Sequence, residues 1–242
     1  MENAVELRAL RKEFGNKVAV NDISLSVKEG SILALLGVNG AGKTTTIKML
    51  SGLSKPTSGD AYVYGKSILK DMDAIKQFSN VSPQDTSVAP NLSVYENLEF
   101  IAEIYGYTGE AKKKRVQEVM EQFALLEVRN QKAKTLSGGW QRKVSIAMAM
   151  ITEPKILYLD EPTLGLDVLA RRELWKVIEG LKGKMTVILT THYMEEAESL
   201  SDYVAVMVKG ELRACGTLEE LKVKTGTNSL EDAFIQIAEE GK

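Results

Sequence analysis

The sequence predicts an α/β fold: a mostly parallel sheet, an antiparallel β region near the N-terminus, and an α-helical insert in the middle. Three observations carry this. An apolar run, Ile32-Leu33-Ala34-Leu35-Leu36, leads into Gly37-Val38-Asn39-Gly40-Ala41-Gly42-Lys43-Thr44, which fits the phosphate-binding pattern G-x-x-x-x-G-K-[ST]. From Ile156 onward, apolar strand patterns alternate with helical ones, the order of a parallel sheet with its ligand at the carboxyl ends of the strands. Between these portions, from about 86 to 150, the pattern is helical.

The elements follow in order. The first 36 residues read as strands, with Val18 to Val27 ending at the turn signal Lys28-Glu29-Gly30. A helix follows the phosphate loop through Ile47 and Leu50; Lys55 to Gly59 is a loop and Ala61 to Tyr64 a strand. Ser93-Val94-Tyr95-Glu96 is a capping box, in which serine and glutamate each satisfy a free helix-end N–H. Tyr95, Leu98, Ile101, Ala102 and Tyr105 keep the helical period until Gly106-Tyr107-Thr108-Gly109 breaks it. A second helix puts Val116, Val119, Met120 and Phe123 on one face and the basic run Lys112 to Arg115 on its solvated side. That run reads as a charged helix start or as a contact for something acidic. Ile156 to Leu159 is a buried-type strand, Leu174, Val177, Ile178 and Leu181 mark a helix face, and Met185 to Thr190 is another strand. Tyr203 to Val208 opens a hairpin that turns at Lys209-Gly210, Thr217-Leu218-Glu219-Glu220 caps a late helix, and Ser229 to Ala238 is a last helix. The expected division is one domain over 1–242. Residues 1–85 and 151–225 form the core with its β subdomain, 86–150 a helical subdomain, and 226–242 a C-terminal helix.

Composition narrows the class. With 44% hydrophobic and 26% charged residues the chain is ordinary for a globular domain, and a net charge of −2 argues against a dedicated nucleic-acid binder. Cys215 is the only cysteine, so no intrachain disulfide forms, which suits a reducing compartment. No apolar run approaches the roughly 18 residues that span a bilayer, and Met1 to Glu6 lacks the basic start of a signal peptide. A membrane role is therefore expected to come through a partner.

The chemistry gathers around the loop. Its glycines let successive N–H groups point inward at phosphate oxygens, and the helix behind it adds the positive end of its dipole. Lys43 supplies a charge for the β- and γ-phosphates and Thr44 a hydroxyl for Mg²⁺. Ile156-Leu157-Tyr158-Leu159 ends in Asp160-Glu161. Asp160 is expected to hold Mg²⁺. Glu161, on the opposite face by strand alternation, is expected to polarise the attacking water. His192, the only histidine, follows the apolar strand Val187 to Thr191 and is expected at the rim where a γ-phosphate sits. Ser137-Gly138-Gly139 precedes a helix and reads either as a second anion cradle or as an ordinary N-cap.

Taken together, these residues resemble the nucleotide-binding subunit of an ATP-binding cassette (ABC) transporter, over about residues 3–225. Gly37 to Thr45 looks like Walker A, Gln84 in Val81-Ser82-Pro83-Gln84 like the Q-loop, and Leu136 to Gly139 like the signature motif. Ile156 to Glu161 looks like Walker B, Leu164-Gly165-Leu166-Asp167 like the D-loop, and His192 like the switch histidine. The resemblance implies a P-loop NTPase core that binds ATP with Mg²⁺ and hydrolyses it. Phe14 would stack on adenine, Asn39, Gly40, Ala41, Gly42 and Thr45 would complete the cradle, and Asp167 would join the site. Gln84 would sense metal and attacking water. It further implies a homodimer in which each ATP meets the partner's Ser137, Gly138 and Gly139. The helical insert and Q-loop would meet a membrane permease at the cytoplasmic face of the cell membrane. Trp140 stands where glutamine is usual, Lys143 where arginine is common, and Leu164-Gly165 where Ser-Ala is frequent. These variants resemble the multidrug, antibiotic and lipid exporter branch. Soluble ABC ATPases of translation or DNA repair are the alternative, although those usually carry two cassettes or a long coiled coil.

Overall fold

The computed structural model describes residues 3–239. The first half runs β1 (Asn3–Phe14), β2 (Lys17–Lys28), β3 (Ile32–Leu36), α1 (Lys43–Leu50), β4 (Ser58–Val63), β5 (Lys66–Ser67), α2 (Met72–Lys76), β6 (Ser79–Ser82), α3 (Val94–Ile104) and α4 (Gly109–Gln122). The second runs α5 (Gly138–Met150), β7 (Ile156–Asp160), α6 (Val168–Glu179), β8 (Thr186–Thr191), α7 (Met194–Leu200), β9 (Tyr203–Val208), β10 (Glu211–Gly216), α8 (Leu218–Thr225) and α9 (Leu230–Glu239). Of the C-terminal helix expected over 226–242, residues 240–242 lie outside the described residues.

Two sheets form. β2-β1-β4-β5 is antiparallel throughout, as expected near the N-terminus. The other has the order β10-β9-β3-β8-β7-β6, parallel except for the edge pair β9–β10. The central strands β3, β7 and β8 are buried at every position. Continuous Val/Ile/Leu runs are what a strand covered on both faces requires. Their side chains divide with period two. Ile32, Ala34, Leu36, Leu157, Leu159, Val187 and Leu189 join a core with the helices of the insert and the C-terminal half. Leu33, Leu35, Ile156, Tyr158 and Ile188 join a second core with α1 and the antiparallel sheet. The large sheet is thus a middle layer, and burial of each such side chain contributes about 1.5–3 kcal/mol.

The insert holds α3, α4, two 3₁₀ turns and α5. The capping box at Ser93 forms: Ser93 Oγ accepts from the Glu96 N–H at 3.2 Å and Glu96 Oε2 accepts from the Ser93 N–H at 2.7 Å. Val116, Val119, Met120 and Phe123 are fully buried. The basic run departs from the sequence expectation, because only its middle is solvated. Lys112 Nζ lies 2.5 Å from Glu103 Oε1 and 2.9 Å from Glu99 Oε1 on α3. Arg115 turns inward and donates to the carbonyls of Met150 and Ile151 at the end of α5. A cation there satisfies carbonyls that have no partner within their own helix. Periodicity placed these residues on the helix but could not show that a neighbouring helix ends beside them.

Candidate nucleotide site

The phosphate loop leaves β3 and turns through left-handed backbone at Gly40 (φ +83°) and Gly42 (φ +100°). A Cβ on Gly42 would sit 2.5 Å from the Ala19 carbonyl oxygen, and one on Gly37 2.4 Å from that of Met207. The loop is pressed against neighbouring backbone, so Gly37 is needed for space, Gly40 for its backbone conformation and Gly42 for both. α1 then starts at Lys43, with no side chain capping it and no acidic residue in its first turn. Its N-terminal N–H groups and dipole are left for an outside anion.

Strand order decides what faces that helix start. β8 lies between β3 and β7, with Leu36 opposite Thr191 and Thr190 opposite Asp160. Asp160 Oδ1 therefore accepts from Thr44 Oγ1 at 2.9 Å and from Thr190 Oγ1 at 2.6 Å. Glu161 follows in a left-handed conformation, φ +47°. This overrides the strand alternation expected from sequence, and both carboxylates reach the start of α1. Glu161 Oε1 lies 3.1 Å from Lys43 Nζ, and Oε2 lies 2.7 Å from His192 Nδ1. Lys43 also donates to the Gly37 carbonyl at 2.7 Å. Lys43, Asp160 and Glu161 are all buried, and pairing is the condition on which such charges can be buried.

Thr44 Oγ1 beside Asp160 Oδ1 is a hard-oxygen pair, the donor chemistry that suits Mg²⁺. No cluster of three or more His, Cys, Asp or Glu side chains with metal-holding geometry occurs among the described residues. An ion held there would draw its remaining ligands from phosphate oxygens and water, as Mg²⁺ does in phosphoryl-transfer sites.

A cleft of about 400 Å³ opens over this cluster, lined by Phe14, Asn39, Gly40, Ala41, Gly42, Lys43, Thr44, Thr45, Gln84 and Glu161 among others. Phe14 is 55% exposed and stands at its rim with Lys12 Nζ 5.0 Å from the ring centre. It is a solvent-exposed aromatic ring that belongs to neither core. Gln84 is exposed, just beyond β6. His192 reaches the site through Glu161.

Ser137, Gly138, Gly139 and Asp167 are not brought to this cleft. Ser137 and Gly138 are exposed at the start of α5, whose first turn holds no acidic residue, and the Ser137 side chain does not cap it. Gly139 has a reason within the chain, since a Cβ there would lie 2.8 Å from Ala170 Cβ on α6. Asp167 caps α6, accepting from the N–H groups of Leu169 and Ala170 at 3.0 Å each.

Three polar residues at the site escaped the sequence reading. Thr190 links β8 to the end of β7, its Oγ1 donating to Asp160 Oδ1 and accepting from the Glu161 N–H. Arg142 is 3% exposed and donates to the carbonyls of Pro83, Gln84, Asp160 and Pro162. Burial pushes its pKa down to about 10, so it stays charged at neutral pH. Glu196, fully buried on α7, accepts through Oε1 from Thr163 Oγ1 at 2.7 Å and Trp175 Nε1 at 3.1 Å. Its Oε2 has no partner, and burial raises the carboxyl's pKa. An apolar period is blind to a buried cation or acid, which interrupts it without a local signature.

Known proteins resemble this chain in sequence and fold. The family model described as ABC transporter matches residues 20–164. Over 226 residues the chain is 43% identical to the human Phospholipid-transporting ATPase ABCA3, covering 92% of this chain and 13% of that protein. It is 38% identical over 242 residues to the Probable multidrug ABC transporter ATP-binding protein YbhF of Escherichia coli (strain K12), covering 98% of this chain and 42% of that one. The chain therefore spans less than half the length of either relative. A solved structure of the ATP-binding cassette MJ0796, dimeric and bound to ADP and Pi in a post-hydrolysis state, superposes with a TM-score of 0.79 at 27% identity, over 88% of this chain and 98% of that one. A phosphate loop, two carboxylates and a histidine joined across three parallel strands, with a second uncapped helix start outside the cleft, are thus set in a sequence and fold that place this chain in the ABC transporter family.

Proposed function

We propose that this chain binds ATP with Mg²⁺, hydrolyses it, and thereby energises a transporter whose permease is a separate chain. The observation that carries this is the convergence of Lys43, Thr44, Asp160, Glu161 and His192 at the carboxyl ends of adjacent strands. Thr44 and Asp160 would hold the metal, which when bound neutralises charge on the phosphates. The P-loop N–H groups and Lys43 hold the triphosphate. Lys43 is now paired with Glu161, so an incoming γ-phosphate competes for its charge and leaves Glu161 to orient and polarise the attacking water. His192, hydrogen-bonded to that carboxylate, fixes its rotamer and reaches toward the γ-phosphate. Gln84 lines the same cleft and would sense the metal and the attacking water. Phe14 offers a stacking face to the base, where aromatic contact contributes about 1 kcal/mol.

The exposed Ser137-Gly138-Gly139 helix start is proposed to hold the nucleotide of a second copy, a homodimer with two shared sites. The dimeric MJ0796 with ADP and Pi is a precedent in a related cassette. The permease would dock on the insert, where Phe100, Ile104 and Tyr105 are exposed beside a groove lined by Val81, Pro83, Ile101 and Met148. No helix among the described residues is long and apolar enough to cross a membrane, which fits a subunit at the cytoplasmic face. The names of YbhF and ABCA3 favour a transporter over a non-transport ATPase.

Glu161→Gln tests the reading. It should keep ATP affinity, lower turnover at least ~100-fold, as loss of a general base does, and run as a dimer on size-exclusion chromatography with ATP. A variant that hydrolyses at the wild-type rate would overturn the assignment.

A further inference from the structure

Glu161 sits in left-handed backbone that a side-chain-bearing residue adopts at a cost of about 1–3 kcal/mol, and such strain persists only where the surroundings over-determine it. The peptide that joins Asp160 to Glu161 is held at both ends. Its N–H donates to Thr190 Oγ1 at 2.8 Å. Its carbonyl, that of Asp160, accepts from Arg142 Nη2 at 2.7 Å. The same guanidinium donates through Nε to the Pro162 carbonyl at 2.9 Å, just past the strained residue. Its Nη1 donates to the Gln84 carbonyl at 2.9 Å and to that of Pro83.

We propose that Arg142 is a positioning residue for hydrolysis: it holds the backbone of Glu161 and of Gln84 in one frame, and ties both to the helix that begins at Ser137. The inference rests on the ATPase reading above and deepens it. The chemistry suits arginine alone. Four carbonyls from two loops surround the side chain, and no carboxylate lies within ion-pair distance of it among the described residues. A planar guanidinium carries five donors in a fixed fork, whereas an ammonium is a compact point charge with three. The neighbouring Lys143 is spent elsewhere, 4.2 Å from the Trp140 ring centre and 3.6 Å from Glu173. Arg142 is not itself among the residues that line the cleft, so it acts through Gln84 and Glu161, whose backbone it holds. Because α5 carries both Arg142 and the exposed Ser137, any tilt of that helix on meeting a partner copy is passed directly to Glu161 and Gln84.

The test compares Arg142→Ala, Arg142→Lys and wild type in the full chain, reading ATP affinity by equilibrium binding, steady-state kcat and KM, and melting temperature. Arg142→Ala should bind MgATP within about threefold of wild type yet turn over at least ~30-fold more slowly, a loss in kcat and not in KM. Arg142→Lys, which keeps the charge and the stem, should recover little of this, and millimolar guanidinium added to Arg142→Ala should recover part of it. Should Arg142→Ala fail to fold, Arg142→Lys carries the comparison, with turnover counted per ATP-binding molecule. Full turnover of Arg142→Lys, or a kcat loss under threefold in Arg142→Ala, overturns the inference. So does a lowered melting temperature with unchanged turnover per binding-competent molecule. Wild type that fails to hydrolyse ATP, or Glu161→Gln that hydrolyses normally, sinks the ATPase reading and this inference with it. Active wild type, inactive Glu161→Gln and normal Arg142→Ala sink this inference alone.

Discussion

Two helix starts in this molecule are built for the same chemistry and left in opposite states. Among the nine α-helices of the described residues, only α1 and α5 begin with neither an acidic first turn nor an acidic or bonded side-chain cap. Elsewhere the positive helix end is neutralised from within, by Glu96, Glu110, Asp167 or Glu219 and Glu220, each worth about 0.3–1 kcal/mol. At α1 the open end faces Thr44, Asp160, Lys43 and Glu161, which already bond one another. At α5 the open end faces solvent, and the Ser137 hydroxyl is not used to cap it. One cradle is complete within a single chain, while the other has donors but nothing opposite. A helix start that forgoes its own cap can be stabilised by an anion from outside the chain; under the proposed function, α1 meets its own nucleotide and α5 that of a second copy.

This difference can be broken experimentally. The largest effect is expected from Lys43→Ala, which removes the buried cation at the α1 cradle and leaves Glu161 buried without its lysine partner. ATP affinity should fall at least ~100-fold, the scale for removing a preorganised charge at a phosphoryl site, as read by equilibrium binding to the monomer. Near-wild-type affinity would show that the cradle does not depend on it. Ser137→Arg should do the reverse. The residue is exposed, so the fold and monomer affinity should hold within about twofold, while dimer-dependent turnover drops by about tenfold or more, equivalent to ~1.4 kcal/mol of lost transition-state stabilisation. If Ser137→Arg weakens ATP binding in the monomer as Lys43→Ala does, the two cradles are not separate.

The smallest effect concerns the clamp behind the site. Burial holds the Glu196 carboxyl above its ordinary value of 4.5, so the unfolded chain releases that proton first as pH rises. The stabilisation is complete at acid pH, below the unfolded value, and is lost as pH climbs toward the raised native value. Glu196→Gln mimics the protonated form and keeps Oε1 for Thr163 and Trp175. Relative to wild type, its melting temperature should therefore rise between pH 5 and pH 8, by about 2–4 °C per kcal/mol for a domain of this size. A difference between the two that stays constant with pH would remove the buried acid as its cause.

What the residues determined alone was everything set by local rules. The phosphate loop after Leu36 follows from glycine conformation, the box at Ser93 and the cap at Thr217 from helix-end chemistry, and the turn at Lys209-Gly210 from left-handed backbone. Asp160 and Glu161 were legible because an apolar strand ending in two acids is a local pattern. Which strands lie side by side was not, and it is the placement of β8 between β3 and β7 that sets Thr190 against Asp160. Nor could alternation reveal that Glu161 leaves the strand geometry, that Arg115 seals the end of α5, or that Arg142 and Glu196 are buried. Each of these depends on atoms 18 or more residues away. Periodicity encodes how one element meets the core, whereas a buried polar group is defined by partners that only the folded chain assembles around it.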